Sequence, residues 1–155
     1  MTELEKEQKY KQLLKEATAL LDGESDMIAN MANLAALIHE TMGFWWTGFY
    51  IVRADKDGHE QLVLGPFQGP IACTRIAFGR GVCGTSWQRR ETVVVPDVEK
   101  FPGHIACSSE SRSEIVVPVF NGDKVSAVLD IDSRDLNTFD ESDARYLEQI
   151  VKLLN

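Results

Sequence analysis

Residues 113–133 constrain the fold of this chain most, because they predict a β-hairpin with two chemically different faces. Asn121-Gly122 is a strong turn signal between two runs of β-favouring residues. A two-residue loop there would place Glu114 opposite Leu129, mixing acid with hydrocarbon on one face. A loop longer by one residue places Glu114 opposite Asp130 and keeps the acidic and the apolar side chains on separate faces. Burial therefore favours the longer loop.

In that register one face of the hairpin is apolar and the other carries acids. The apolar face consists of Ile115, Val117, Val119, Val125, Ala127, Leu129 and Ile131. The opposite face consists of Glu114, Val116, Pro118, Phe120, Ser126, Val128, Asp130 and Asp132. We therefore expect the carboxylates of Glu114, Asp130 and Asp132 to converge at the open end, away from the main core. A solvated sheet face is the alternative explanation of this pattern.

The size and composition of the chain are those of one globular domain. Its 155 residues are 44% apolar, which allows a sizeable core. The formal net charge of −8 argues against nucleic acids and anionic membranes as partners. No apolar run could span a bilayer, and the charged N-terminus lacks the apolar stretch of a signal peptide. We therefore expect a cytoplasmic protein whose three cysteines are reduced at rest.

The order of predicted elements indicates an α+β fold. Capping signals and hydrophobic spacing predict four helices, at residues 2–21, from 25 or 26 to 43, at 82–89 and from 138 onward. Strands are predicted at residues 45–53, 60–64, 74–78 and 93–95, followed by the hairpin. Residues 96–112 form a long loop, and loops of that length are often functional. The expected architecture is an antiparallel sheet with helices packed on one face and loops on the other.

Three details of this pattern are specific enough to test. Met27 and Ile28 are expected to face inward on the second helix. Residues 65 and 66, Gly-Pro, are expected to end the second strand. Thr138 and Glu141 are expected to form the capping box of the last helix.

Alternation along the first predicted strand places aromatic side chains beside the acids. Trp45, Thr47, Phe49 and Ile51 share one face, and Trp46, Gly48 and Tyr50 share the other. If Phe49 lies in the core, Trp46 and Tyr50 face the same side as the acidic hairpin, with Gly48 leaving room between them. An aromatic wall with three carboxylates suits a small cationic or ammonium-bearing ligand. The alternative is that Trp46 simply packs under a loop.

The three cysteines, Cys73, Cys83 and Cys107, allow three interpretations. Free cysteines are often small buried hydrophobic residues. A zinc site is a second interpretation, supported weakly by His104 near Cys107, and there is no C-x-x-C motif. In the third, one thiolate attacks a substrate and another cysteine resolves the product as a disulfide. That chemistry needs two thiols within disulfide reach, which the sequence alone does not show.

The cysteine spacings resemble those of the GAF-domain free methionine-(R)-sulfoxide reductases. The segments GRGVCGTSW, VVVPDV, FPGHIACSSESRSEIVVPV and LDIDS carry the resemblance, which is strongest over residues 45–140. It implies a single GAF-like domain over residues 1–155, with the helix at 1–22 at a dimer interface. It further implies reduction of free methionine-(R)-sulfoxide, thioredoxin as the reductant, a homodimer, and no metal or organic cofactor.

The resemblance also implies roles for the cysteines. Cys107 matches the nucleophile of the family, and Cys73 matches the partner that forms a disulfide with it. Cys83 matches a third cysteine whose role varies among members, and we treat it as auxiliary.

The pocket residues follow from the same resemblance. Trp46 and Tyr50 match aromatic positions that wall the substrate pocket. Glu114, Asp130 and Asp132 match the substrate-binding and acid residues, with Asp132 favoured as the proton donor and Glu114 as the alternative. Two other hypotheses stay open: a GAF module that senses a small molecule without turnover, and a zinc-stabilised structural domain.

Overall fold

The computed structural model describes residues 1–104 and 109–155. The elements in chain order are α1 (Glu3–Leu21), α2 (Met27–Met42), β1 (Trp46–Ala54), β2 (Glu60–Gln68), β3 (Arg75–Ile76), α3 (Gly81–Arg89), β4 (Val93–Val95), β5 (Ser113–Asn121), β6 (Lys124–Ser133) and α4 (Glu141–Val151). Short 3₁₀ helices lie at Val98–Lys100 and Lys152–Leu154. In the described part of the chain, no helix is long and apolar enough to cross a membrane.

The strands form one antiparallel sheet with two differently covered faces. Its six strands follow the order β3-β2-β1-β6-β5-β4. On one face, α1, α2 and α4 bury an apolar cluster that includes Phe49 and Leu129. On the other face of the sheet, α3 and the loops cover a second cluster that includes Trp46, Tyr50 and Val116. We call this side of the sheet the pocket face. The predicted α+β class is confirmed, although α3 lies with the loops and not with the other helices.

The hairpin keeps the predicted faces in a different register. Glu114 pairs with Asp132, two residues away from the predicted partner, Asp130. The predicted pairing was wrong, but over residues 113–119 the shift is two residues, which leaves each side chain there on its predicted face. The three acids therefore remain together on the pocket face.

A β-bulge explains the register of the hairpin and one wrong face assignment. The pairing slips between Val119 and Phe120, and the turn joins Asn121 to Lys124. The slip reverses the alternation near the turn, because a bulge inserts one residue into one strand only. Val125 pairs with Phe120 and lies in the cluster on the pocket face, so its predicted place on the core face was wrong.

Strand β2 continues through the Gly65-Pro66 pair that was expected to end it. In the pairing of β1 with β2, Gly48 lies opposite Phe67 and Tyr50 opposite Leu64. Gly65 and Pro66 thus share the position opposite a single residue of β1. Proline is tolerated at such a bulge because its missing N–H removes no regular ladder bond.

The first turn of α2 departs from the predicted apolar stripe. Met27 is 38% exposed and Ile28 is 48% exposed, so their predicted inward orientation was wrong. The buried residue of this turn is Asn30, whose side chain donates a hydrogen bond to the carbonyl of Glu24. A polar contact with the α1–α2 connection therefore replaces apolar packing there.

The predicted start of α4 was also wrong. The N-cap is Asp140, which forms a reciprocal capping box with Asp143. The predicted box of Thr138 and Glu141 lies two residues too early. An aspartate at the N-cap accepts hydrogen bonds from the N–H groups of the first turn as well as threonine does, so Asp140 can take this place.

A buried carboxylate attaches α1 to α4. Asp143 is 1% exposed and accepts hydrogen bonds from the hydroxyl of Tyr10 and, at 2.7 Å, from Nζ of Lys6. Tyr10 is buried and stacks on Tyr146, with ring centroids 5.3 Å apart. Since an uncompensated buried charge is strongly destabilising, both donors help to fix α1 on the domain.

The substitution Tyr10→Phe is expected to lower the free energy of unfolding by about 2 kcal/mol, because the buried Asp143 loses a hydrogen bond to a charged acceptor. Denaturant unfolding measures the change. Tyr146→Phe is the matched control, since it alters the same aromatic stack and its hydroxyl makes no hydrogen bond within the described residues. Equal losses in the two variants would contradict this role of the Tyr10 hydroxyl.

Candidate active site

A cavity of about 60 Å³ opens on the pocket face, where β1, β5 and β6 meet α3 and the loops. Its lining residues are Trp45, Trp46, Tyr50, Ile71, Ile76, Arg80, Gly81, Val82, Cys83, His104, Ser111, Glu114, Asp130 and Asp132. The predicted site residues that it brings together are Trp46, Tyr50, Cys83, Glu114, Asp130 and Asp132.

The pairing of three neighbouring strands places the acids side by side. Asp132 on β6 pairs with Glu114 on β5 and with Trp46 on β1. Asp130, two residues earlier on β6, pairs with Gly48. Residues two apart on a strand share a face, and directly paired residues contact across strands. The ladder itself therefore builds the acid cluster against the aromatic wall.

Burial gives the three carboxyl groups unusually high pKa values. Glu114 and Asp130 are each 6% exposed, and Asp132 is half-buried at the cavity. Burial raises the pKa of all three carboxyls well above their usual range, because the charged form loses its hydration. Each carboxyl also raises the pKa of a neighbour by repulsion. The cluster therefore holds its protons to a higher pH than exposed carboxyls do, and it can gain stability from a bound cation.

Within the described residues, the acid cluster has few hydrogen-bond partners outside itself and Cys83. Ser111 Oγ donates to Asp132 Oδ1 at 3.2 Å, and His104 Nε2 lies 3.7 Å from Glu114 Oε1. Burial lowers the pKa of His104, which favours its neutral form. Asp130 Oδ1 is buried and accepts no hydrogen bond from the described residues. Buried acceptors are normally satisfied, so this oxygen marks a place for a ligand.

Cys83 lies in the first turn of α3, directly beside the acids. Its Sγ and carboxylate oxygens of Glu114 and Asp130 all lie within 4.8 Å of one another. Burial, followed by the charge of Asp130, raises the pKa of the Cys83 thiol. A thiol that resists ionisation is a poor nucleophile. The surroundings of Cys83 therefore favour an auxiliary role over the attacking one.

The aromatic wall also holds the segment that carries Cys73. Trp46 Nε1 donates to the carbonyl of Pro70 at 2.9 Å, and the Tyr50 hydroxyl donates to the carbonyl of Cys73 at 2.8 Å. Cys73 is disulfide-bonded. Cys107, the predicted nucleophile, lies outside the described residues, so its pairing with Cys73 stays a prediction.

Gly48 gives the Trp46 ring its place. A Cβ at position 48 would lie 2.4 Å from Phe67 Cβ and 2.6 Å from Trp46 Cη2, closer than real contacts allow. The indole stacks on the Phe67 ring, with centroids 5.2 Å apart. Gly48 thus leaves room for the Trp46 ring, as predicted, but the second side chain that a Cβ would meet is Phe67 and not the predicted Tyr50.

The N-terminus of α3 forms another part of the cavity wall. Gly81, Val82 and Cys83 begin the helix, and no side chain of the N-cap residue Arg80 bonds to its first turn. Helix N-termini without such a cap have unpaired N–H groups, which favour a bound anion. The sequence did not predict this feature, because the glycines here match no phosphate-binding motif.

The predicted position of Trp45 was wrong. It was expected on the core face, but β1 begins at Trp46, so the alternation does not extend back to residue 45. Trp45 instead packs against the cluster on the pocket face and lines the cavity. Ser111 and Arg80 also line it without any pattern that predicts them.

The substitution Asp130→Asn is expected to stabilise the protein more at pH 7.5 than at pH 5. A carboxyl whose pKa is raised in the folded state contributes stability below its unfolded pKa and loses it as the pH rises towards the folded value. For one such group, the free energy of unfolding falls by up to about 1.4 kcal/mol per pH unit in that range. Asparagine does not titrate, so the substitution removes this pH-dependent loss.

Denaturant unfolding at the two pH values measures this difference. Asp57→Asn, on the exposed β1–β2 turn, is the control for loss of one acidic charge. A stability change of Asp130→Asn that is independent of pH, or that matches the control, would show that Asp130 is not held in a raised-pKa state.

Comparison with known proteins identifies close relatives. The GAF domain family model matches residues 26–154. The chain is 57% identical over 150 residues to GAF domain-containing protein A of Dictyostelium discoideum, covering 97% of this chain and 92% of that protein. It is 44% identical over 158 residues to free methionine-R-sulfoxide reductase of Saccharomyces cerevisiae, covering 98% of this chain and 87% of that protein.

A solved structure shows the same fold. The X-ray structure of free methionine-R-sulfoxide reductase from Neisseria meningitidis in complex with its substrate matches with a TM-score of 0.88 and 52% identity. The match covers 94% of this chain and 85% of that one.

Proposed function

Because the chain belongs to the GAF domain family and is similar over nearly its whole length to free methionine-R-sulfoxide reductases, we propose that it reduces free L-methionine-(R)-sulfoxide to L-methionine. The observation that carries the proposal is the buried cluster of Glu114, Asp130 and Asp132, which shares one cavity with Trp46 and Tyr50.

The acid cluster is suited to the α-ammonium group of a free amino acid. Asp130 Oδ1 is buried without a hydrogen bond in the described part of the protein, and an ammonium group supplies both the missing donor and a positive charge. In a peptide the ammonium is replaced by an amide, so the buried carboxyls lose their counter-charge. A site that leaves buried polar groups unpaired rejects a ligand strongly. This argument supports selectivity for the free amino acid.

The α-carboxylate has a complementary partner in the same cavity. The N-terminus of α3 lines the cavity at Gly81 and Val82, and Arg80 lies beside it. Unpaired first-turn N–H groups and the helix dipole both favour an anion. A zwitterion thus finds an acidic partner and an anion-binding partner in one cavity.

The sulfoxide end is proposed to lie against the aromatic wall. Trp46 is 3% exposed and is fixed by its bond to the carbonyl of Pro70. A fixed indole can pack against the S-methyl group and help to select the (R) configuration at sulfur. Tyr50 continues the wall, with its ring centroid 6.1 Å from that of Trp46.

Asp132 is the proposed proton donor, with Glu114 as the alternative. The sulfoxide oxygen must gain a proton as the S–O bond breaks, which calls for a general acid. The pKa of Asp132 is raised by burial and by Asp130, so this carboxyl keeps its proton to a higher pH than an exposed aspartic acid does. Asp132 is also the more exposed of the two residues.

Cys107 is the proposed nucleophile. Its thiolate attacks the sulfoxide sulfur, methionine leaves, and the oxygen stays on Cys107 as a sulfenic acid. The Cys73 thiol then attacks that sulfenic sulfur, and a disulfide forms with loss of water. The two thiols together supply the two electrons of the reduction. A dithiol reductant of the thioredoxin class returns the disulfide to two thiols.

Three further proposals concern the setting of this reaction. Thioredoxin dependence places the enzyme in a reducing compartment such as the cytoplasm.

The domain is proposed to span residues 1–155 and to pair as a homodimer through the region of α1. Sedimentation equilibrium tests the dimer.

The reaction is tested by NADPH oxidation coupled through thioredoxin and thioredoxin reductase. Free methionine-(R)-sulfoxide, the free (S) epimer and a peptide-bound sulfoxide are offered in parallel. We expect turnover of the free (R) form alone, because only it presents both the ammonium group and the proposed geometry at sulfur. No turnover of any of the three, with all thiols titrating as reduced, would favour a ligand-sensing module instead.

Cysteine variants separate the chemical steps. Cys107→Ser is expected to abolish methionine formation. Cys73→Ser is expected to form about one methionine per chain and then stop, because the sulfenic acid cannot pass to a disulfide. Single-turnover assays of methionine, without and with thioredoxin, distinguish the two. Full steady-state activity in Cys107→Ser would refute the assignment of the nucleophile.

A further inference from the structure

We propose that the same cavity binds a divalent transition-metal ion of the Zn²⁺ class, coordinated by Cys83, Glu114 and Asp130. These residues present one sulfur and two carboxylates that converge from α3, β5 and β6. Of these three residues, Cys83 has no required step in the proposed reductase chemistry, whereas Glu114 and Asp130 are also the proposed partners of the substrate.

The donor geometry carries the proposal. Sγ of Cys83 and one carboxylate oxygen each from Glu114 and Asp130 lie within 4.8 Å of one another, and all three residues are buried. Zinc binds thiolate at about 2.3 Å and carboxylate oxygen at about 2.0–2.2 Å, so donors around one ion lie within a few ångström of each other. Metal binding would therefore draw these donor atoms closer to one another than 4.8 Å.

An unsatisfied oxygen points independently to a ligand. Asp130 lines the cavity and is 6% exposed, and its Oδ1 accepts no hydrogen bond from the residues that the structure describes. Such an oxygen is a ready ligand for a hard or borderline cation.

A fourth donor is close at hand. His104 lines the same cavity, with Nε2 3.7 Å from Glu114 Oε1. One thiolate, two carboxylates and an imidazole are all ligands of tetrahedral zinc sites. The thiol proton and any carboxyl proton displaced by the ion pass to solvent, and the ion's double positive charge compensates the buried donors.

An exposed group of donors lacks these properties. Asp55, Asp57 and His59 also lie close together, on the turn between β1 and β2. There Asp55 Oδ1 already accepts from the backbone N–H groups of Asp57 and His59, at 2.8 and 3.0 Å. This turn therefore serves as an internal control.

A consequence rests on the proposed function. If Glu114 and Asp130 bind the substrate ammonium, a metal ion on the same oxygens excludes the amino acid. Zinc is then a competitive inhibitor whose effect rises as substrate falls. Free methionine, which has the ammonium group but no sulfoxide to react, is expected to weaken metal binding.

Cobalt(II) and zinc(II) test the site directly on the full chain. The protein is first oxidised until one thiol per chain titrates, so that thiols other than Cys83 do not bind the probe. We expect one Co²⁺ per chain with thiolate-to-metal charge-transfer absorption, displaced by Zn²⁺. Cys83→Ser should lose that absorption, and Asp130→Asn should weaken Zn²⁺ binding roughly tenfold or more. His59→Ala should change neither.

Two results would overturn the proposal. One is the absence of thiolate-to-cobalt absorption in the wild-type protein, and the other is loss of metal binding in His59→Ala but not in Asp130→Asn. Circular dichroism verifies that each variant is folded, and Asp130→Asn provides the test if Cys83→Ser does not fold.

The competition experiment separates this proposal from the proposed function. Methionine is compared with glycine at equal concentration, since both chelate free metal through the same groups. Weaker metal binding with methionine than with glycine supports a shared site. A cobalt site that depends on Cys83 in a protein without sulfoxide turnover would count against the reductase assignment and support the metal site.

Discussion

The pairing of β6 with both β1 and β5 is the constraint on which the site depends. It places two acids of β6 and one of β5 on the same buried face, with an indole opposite Asp132. Desolvating three neighbouring carboxyls is unfavourable, and their raised pKa values express that penalty. The helical side of the sheet carries most of the apolar core, so the fold tolerates a destabilising group on the pocket face. A bound cation recovers part of the lost free energy.

The same strand pairing connects ligand binding with disulfide chemistry. Trp46 and Tyr50 face the acids from β1, and their polar atoms hold the carbonyls of Pro70 and Cys73. Two residues of one strand thus line the cavity and hold the segment of Cys73, the proposed resolving cysteine. In the proposed mechanism, movement of the Cys73 segment would disturb the aromatic wall, since both aromatic donors would lose their acceptors.

The sequence predicted the faces of the sheet well because alternation has a period of two and one side is a deep core. That is why Glu114, Asp130 and Trp46 were placed correctly although the hairpin register was wrong by two residues. The failures are local backbone events that side-chain alternation does not encode. A bulge turned Val125 to the other face, and the start of β1 at Trp46 freed Trp45 to line the cavity. The roles of the cysteines came from the family resemblance and not from spacing.

The cavity distinguishes ligands by charge distribution more than by shape. Its acids favour a positive group, and the N-terminus of α3 favours a negative one, so a free amino acid satisfies both. A peptide keeps neither terminal charge at an internal residue and leaves Asp130 Oδ1 unpaired. A small metal ion would bind the carboxylates without any contact to the N-terminus of α3. It would also bind the sulfur of Cys83, which an ammonium group does not coordinate. The proposed affinity for metal would therefore follow from the same arrangement that is proposed to recognise the ammonium group, and removing one would require altering the other.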